Sequence, residues 1–374
     1  MLVRTIINTM HRMAYPFLGT FSRGLGVDIT ALSLALTGRS LVAAFVPFIA
    51  SVADQRGRRF GMLAGITLFI LGVALVAISP SLWTVSAALI LALLGKYMFD
   101  PAMQAYFSDR IPYQQRGRVL AFTELAWSLS FILGVPAMGL LIAQFGWSAP
   151  FPVLAVSGVG MFAVVWWMVP KKDDNHIPAR NPWANFGKVL KNVPVLAGVS
   201  IPLWGSAGNE LVNLIFGVWL EDSFGLQIAA LAGASAVIGL SELSGEGLVA
   251  LLTDRIGKPR ALALGLSANA MAACLLPFIG RTEVGALIGL FLFYITFEFV
   301  IVSHIPMMTE LLPGARATVM SFNVTGHSIG RAIGAFLAPF IYRQFGFMFV
   351  ALLAVVFNLL GLLALRRLRQ DVLV

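Results

Sequence analysis

Several ionisable residues lie deep inside long apolar stretches of this chain, among them Arg12, Arg39, Lys96, Asp100, Glu210, Glu242, Glu246, Glu298, His327 and Arg331. A charge at the centre of a hydrocarbon layer costs about 2.5–3.5 kcal/mol on insertion scales, so such groups face a partner or a polar cavity. Their types suit ion pairing, hydrogen bonding to a solute and the uptake of a proton. Three pairs sit one helical turn apart and share a face: Lys96/Asp100, Glu242/Glu246 and His327/Arg331. The cations Arg12, Arg39 and Lys96 gather in the first half of the chain, and the four glutamates in the second. No nucleophile–base motif accompanies them, which argues against an enzyme. The four histidines and the single Cys274 show no metal-ligand spacing, so neither a metal nor a cofactor is expected. For His304 and His327, hydrogen bonding within the helix packing is expected ahead of a proton relay.

The elements that must hold these residues follow from composition. Of 374 residues, 59% are hydrophobic and 11% charged, against about 25% charged in a soluble domain. That excludes a soluble globular enzyme and a disordered chain, and predicts a polytopic helical membrane protein. Apolar runs bounded by turn or charge signals give twelve spans: 3–22, 30–52, 60–79, 82–107, 119–143, 150–169, 194–220, 226–250, 261–279, 284–308, 317–340 and 346–365. His11 and Arg12 interrupt the first, which makes it the weakest.

Charge sets the expected orientation. With the N-terminus in the cytoplasm, inward segments hold Arg4, Arg56, Arg58, Arg59, Arg110, Arg116 and most of the other Lys and Arg, while outward loops hold Arg23, Arg281 and Arg343. This bias is the positive-inside rule, and it predicts a plasma-membrane protein with both termini cytoplasmic. The net charge of +9 then reflects topology and not a nucleic-acid partner. Residues 170–193 form one long basic, proline-containing linker between six-span halves at 1–169 and 194–374. Within it, 182–191 is expected to lie along the membrane interface with Trp183, Phe186 and Leu190 toward lipid.

The halves match at an offset of 200. Asp54 pairs with Asp254, Gly57 with Gly257, Arg58 with Lys258, Arg116 with Arg316, Phe122 with Phe322, Ser128 with Ser328 and Gly134 with Gly334. Gln144-Phe145-Gly146 pairs with Gln344-Phe345-Gly346. The loop between spans 2 and 3 reads Ala50-Ser51-Val52-Ala53-Asp54-Gln55-Arg56-Gly57-Arg58-Arg59, and after span 4 comes Asp109-Arg110-Ile111-Pro112-Tyr113-Gln114-Gln115-Arg116-Gly117. On these motifs and this repeat the chain resembles the major facilitator superfamily over its whole length. That family's loop signature is G-x-x-x-D-R-x-G-R-R; here Ala50 replaces the first Gly and the first Arg is shifted to Arg56.

The resemblance implies an all-α membrane fold of twelve helices in two pseudo-symmetric six-helix bundles. It implies that spans 1, 4, 7 and 10 line a central cavity, which would place Arg12, Lys96 with Asp100, Glu210 and Glu298 there. It further implies a cytoplasmic gate made by Asp54, Gly57, Arg58, Asp109, Arg116, Asp254, Arg255 and Gly257, with Glu124 a gate or headgroup contact. The expected function is secondary transport of a small solute by alternating access, coupled to protons through Asp100 and Glu298 with Arg12, Arg39 and Lys96 as counter-charges. Export of amphiphilic or drug-like compounds is the preferred direction, because Phe and Met are abundant and sugar-type polar clusters are missing. A nutrient importer of the same fold, and a non-transporting receptor or lipid scramblase, are the alternatives. The expected partners are a small-molecule substrate, the bilayer and protons, with a monomer as the working unit.

Overall fold

The computed structural model describes residues 1–54, 57–112, 115, 119, 122–170 and 185–372, with the side chains of 46–54, 254, 313, 317 and 369–372 outside that set. The described chain is helical throughout. Its elements are α1 (Leu2–Arg12), α2 (Leu18–Leu25), α3 (Ile29–Asp54), α4 (Arg58–Ile78) and α5 (Leu82–Arg110). Then come α6 (Phe122–Phe145), α7 (Pro150–Met168), α8 (Phe186–Leu190), α9 (Val193–Phe224), α10 (Ile228–Ile256), α11 (Lys258–Ile279), α12 (Glu283–Leu311), α13 (Arg316–Phe345) and α14 (Phe347–Val372). Among the described residues, eight helices are long and apolar enough to cross a membrane. The bent pair α2 and α3 makes nine if it is one span, and α9 and α13 are as long but interleave more polar side chains among their apolar ones.

Local chemistry sets the helix ends. Ser81 and Thr84 form a reciprocal capping box at the start of α5, and Asn192 and Thr282 accept backbone N–H bonds at the starts of α9 and α12. Six glycines have positive φ: Gly26, Gly57, Gly146, Gly225, Gly257 and Gly346. They fall into three pairs at the repeat offset of about 200 and each adjoins a helix end, where the left-handed region bars most side chains. The internal repeat is therefore written in the backbone as well as in the sequence.

The first span departs from expectation. Instead of one run over 3–22, α1 stops at Arg12, a turn covers Met13–Phe17, and α2 resumes at Leu18. Pro16 has no amide hydrogen to donate and its ring obstructs the preceding turn. The chain then turns by 114° between α2 and α3. In α6, Ser130–Gly134 forms a π turn in which the Val135 N–H reaches back to the Ser130 carbonyl. Pro136, just beyond, cannot supply the usual bond, which accounts for the widened turn at that place.

The chain divides into two compact units, Met1–Arg180 with Gln227–Gly239, and Asn181–Leu226 with Leu240–Val374. In the first, α4 and α5 touch at glycine: a Cβ on Gly65 would lie 2.5 Å from the Gly95 carbonyl oxygen. In the second, α13 lies on α9, and a Cβ on Gly330 would lie 2.1 Å from the Leu203 carbonyl oxygen. Small residues let helix backbones approach closely, which is how helices associate where water supplies no driving force. Residues 171–184, including Trp183, lie outside the described set, and the linker helix is the short α8. Its Phe186 is half-buried, with its ring 5.0 Å from that of Phe322 in the same unit, and Leu190 is exposed.

Candidate buried ionic site

In the first unit the charges converge on Asp100 of α5. Lys96 Nζ lies 2.9 Å from Asp100 Oδ2, one turn away on the same helix, and donates to Asn8 Oδ1 of α1 at 2.6 Å. The other carboxylate oxygen, Oδ1, lies 3.0 Å from Arg4 Nε of α1. Arg4 is buried and spends its other nitrogens on α6. It makes a fork to Glu124, Nη1 to Oε1 and Nη2 to Oε2, each 2.9 Å, and Nη1 also donates to the Thr123 carbonyl at 2.9 Å. Gln104 of α5 donates to Glu124 Oε1 at 3.0 Å. Two cations and two acids thus tie three helices together, with every described charge matched. Bidentate arginine–carboxylate contacts of this kind are strong and directional.

The sequence places Arg4 among the inward cations, whereas the structure buries it beside Asp100 and Glu124. A signal was present: Arg4, Asn8 and Arg12 form a stripe at i, i+4 and i+8, so one face of an otherwise apolar helix is polar. Of the expected counter-charges Arg12, Arg39 and Lys96, only Lys96 contacts Asp100, and Arg4 is the second cation there.

Arg12 and Arg39 have other contacts. Arg12 donates to the Trp127 carbonyl at 2.9 Å, and its guanidinium carbon sits 4.2 Å from the Trp127 ring centroid and 3.4 Å from that of Phe131. Lys96 Nζ also lies 5.4 Å from the Trp127 centroid, so this ring on α6 meets two cations. Arg39, 1% exposed, donates to the His11 carbonyl at 3.1 Å and to the Tyr15 hydroxyl at 2.7 Å. It therefore caps the C-terminal end of α1 at the break. A cation is favoured there by the helix dipole.

The second unit has a different interior. Glu210 of α9 is fully buried, with Asn213 Nδ2 3.4 Å from its Oε2, and the Tyr294 hydroxyl of α12 donates to Asn213 Oδ1 at 2.8 Å. Asn358 of α14 donates to Asn269 Oδ1 at 2.9 Å, and Asn269 donates to the Phe293 carbonyl and to Thr296. Ser206 Oγ and His327 Nδ1 are 2.7 Å apart, and His304 Nε2 is 3.1 Å from the Gly198 carbonyl. Glu242 and Glu298 are buried, Glu246 and Arg331 half-buried. Glu298 sits where a Cβ on Gly245 would be 2.8 Å from its own Cβ.

At the loop ends the repeat recurs as ion pairs. Arg58 at the start of α4 lies 3.4 Å from Asp109 at the end of α5, and Lys258 at the start of α11 contacts Glu310 at the end of α12. Gly57 and Gly257 begin those helices, and Arg255 lies in the last turn of α10. The side chains of Asp54 and Asp254, and Arg116 as a whole, lie outside the described residues. Among the described residues no cluster of His, Cys, Asp or Glu has the form of a metal site.

Long apolar helices with buried ion pairs and polar ladders between them define an integral, multi-pass membrane protein. The chain belongs to the major facilitator superfamily, whose family model matches residues 1–309 and 206–372; it is thus a secondary transporter in the general sense. It is 23% identical over 353 residues to the MFS-type transporter YwfA of Bacillus subtilis, covering 92% of this chain and 85% of that one. It is 22% identical over 370 residues to a protein named "Probable sugar efflux transporter" from Pasteurella multocida, covering 96% and 88%. Among solved structures it is similar to the nucleoside transporter NupG, with a TM-score of 0.74, 13% identity, and coverage of 98% of this chain and 99% of that one. At that identity the likeness speaks for the fold.

Proposed function

We propose that this protein is a proton-coupled exporter of small amphiphilic solutes in the plasma membrane, working as a monomer with both termini in the cytoplasm. The halves at 1–169 and 194–374 rock about a central site, and the Arg58–Asp109 and Lys258–Glu310 ends lie on the cytoplasmic side. The observation that carries the coupling is Asp100: a carboxylate inside an apolar helix bundle, held at one oxygen by Lys96 and approached at the other by Arg4. Such a group changes its partners when it gains a proton, which is what coupling requires. The name of the Pasteurella relative supports the outward direction.

The test uses purified protein in phosphatidylethanolamine–phosphatidylglycerol vesicles, with ethidium as the probe and an imposed pH gradient. The wild type should accumulate ethidium against its gradient. Asp100→Asn should lose gradient-driven accumulation while retaining downhill exchange. Accumulation by Asp100→Asn that remains fully gradient-driven would remove Asp100 from the coupling role. If a wild-type panel extended to monosaccharides moves sugars and not ethidium, the substrate class changes while the coupling reading stands.

A further inference from the structure

The two oxygens of Asp100 are not held alike. Oδ2 receives a hydrogen bond from Lys96 at 2.9 Å. Oδ1 lies 3.0 Å from Arg4 Nε, yet both atoms are buried and neither makes a hydrogen bond. The guanidinium is aligned on Glu124 and Thr123, and meets Asp100 off-angle. Charge attraction holds that contact, but the directional part is missing. Oδ1 is therefore the oxygen with a lone pair to spare, and a proton placed on it would point at Nε–H, donor against donor.

We propose that Arg4 is the positioning residue that turns proton uptake at Asp100 into movement of α1 against α5. This rests on the reading of Asp100 as the proton carrier. Hydronium gives up a proton, its O–H bond breaking as one forms at Oδ1, which leaves a water molecule and a neutral carboxyl. Arg4 then loses its attraction to α5 and faces a donor, while its fork to Glu124 and its bond to the Thr123 carbonyl keep it on α6. Lys96 keeps Asn8. Release of the proton restores the Arg4–Asp100 contact. Glu124 competes for the same guanidinium, so it sets how tightly Arg4 opposes the proton.

The charged groups around Asp100 can be named element by element. From α1 come Arg4 and, two turns on, Arg12, which sits on Trp127 and Phe131; the Met1 amino group also lies near Arg4. From α3 the buried charge is Arg39, engaged at the α1 break. From α4 the charges are Arg58, on Asp109, and Arg59, on the Trp166 carbonyl. From α5 itself comes Lys96, with Asp109 and Arg110 at its far end, and from α6 comes Glu124. Arg4 and Lys96 are the cations in contact with Asp100, and Arg4 alone of the two is shared with a second acid.

Infrared difference spectra of the full chain in phosphatidylethanolamine–phosphatidylglycerol vesicles, taken across pH 4–10, read the protonated-carboxyl band without any substrate. The wild type should show a pH-dependent band that Asp100→Asn abolishes. Arg4→Gln removes the opposing cation and should shift the midpoint of that band to higher pH by about one unit or more. Glu124→Gln leaves Arg4 wholly to Asp100 and should shift it to lower pH, a direction that general loosening of the fold would not produce. Arg4→Lys should stay near the wild type. Should Arg4→Gln fail to fold, the Glu124→Gln direction decides. Midpoints that do not move, or that move the same way in Arg4→Gln and Glu124→Gln, overturn the role of Arg4 while leaving Asp100 as the carrier. A band that survives Asp100→Asn overturns the carrier reading itself, and the proposal with it.

Discussion

The two units begin with helices that occupy matching places in the repeat and solve the same problem in opposite ways. In the first, the opening span is broken into α1 and α2 at Met13–Phe17, and its polar face is cationic: Arg4, Arg12 and, leaning in from α3, Arg39. In the second, α9 runs unbroken from Val193 to Phe224 despite Pro202 inside it, and its polar face carries Ser206, Glu210 and Asn213. The first unit satisfies its interior with full charges paired across helices. The second joins helices through Asn213, Tyr294, Asn269, Asn358, Ser206 and His327, and also buries the charged side chains of Glu210, Glu242 and Glu298. Removing one partner of a buried charge pair leaves the other charge uncompensated, and a buried neutral network that loses a member is left partly unsatisfied.

The largest test of this contrast is to delete one member from each interior. Arg4→Met leaves Asp100 and Glu124 without their shared cation. Breaking a buried pair costs about 3–5 kcal/mol, and the lower end applies because the Glu124 side chain is 47% exposed. Asn358→Leu leaves Asn269 Oδ1 without its donor, which costs about 1–3 kcal/mol. Unfolding of the two variants in mixed micelles, followed by tryptophan fluorescence, should rank Arg4→Met as the less stable. The reverse order would mean that the charges of the first unit contribute little to holding it.

A second test uses the glycines at helix crossings. A Cβ on Gly330 would lie 2.1 Å from a backbone oxygen of α9, that of Leu203, whereas one on Gly134 would lie 1.9 Å from the Thr9 side-chain hydroxyl oxygen of α1. Backbone cannot yield and a side chain can be cut back. Gly330→Ala should therefore destabilise by about 1–3 kcal/mol, the usual range for overpacking, and no single side-chain trim should restore it. Gly134→Ala should be restored to near wild-type stability by adding Thr9→Ala. If the double variant stays as unstable as Gly134→Ala, the α1–α6 crossing is as rigid as the α9–α13 crossing and the two units do not differ there.

Much of this architecture could be read in the sequence because it rests on one-dimensional signals. Apolar runs mark the long helices, and Gly57/Gly257 and Gly146/Gly346 mark turns because positive φ demands glycine. The Lys96/Asp100 pair followed from helical spacing alone. What was not legible depends on partners far apart in the chain. Arg4 reads as one more loop-end cation until Glu124, 120 residues away, is seen in its fork. Arg39 reads as a cavity charge because its partner is a backbone carbonyl, and a carbonyl leaves no trace in composition. The break at Pro16 does leave a one-dimensional signal, since proline ends helices, but the apolar residues on both sides of it read as one run.

The smallest effect bears on that break. Where α1 stops at Arg12, Arg39 donates to the His11 carbonyl and to the Tyr15 hydroxyl. Arg39→Met removes both bonds and the cation at the end of the α1 dipole, and keeps the side chain's apolar length. A cap of this kind is worth about 1 kcal/mol, up to roughly 2 where it is buried, so the whole unit should remain folded. The loss should appear locally, as amide exchange around Met13–Leu18 faster by about tenfold, because 1.4 kcal/mol is a factor of ten in the opening equilibrium. Exchange in the unbroken α9 should not change. Equal acceleration in both helices would show that Arg39 acts on global stability, and the break in the opening span would then need no clamp of its own.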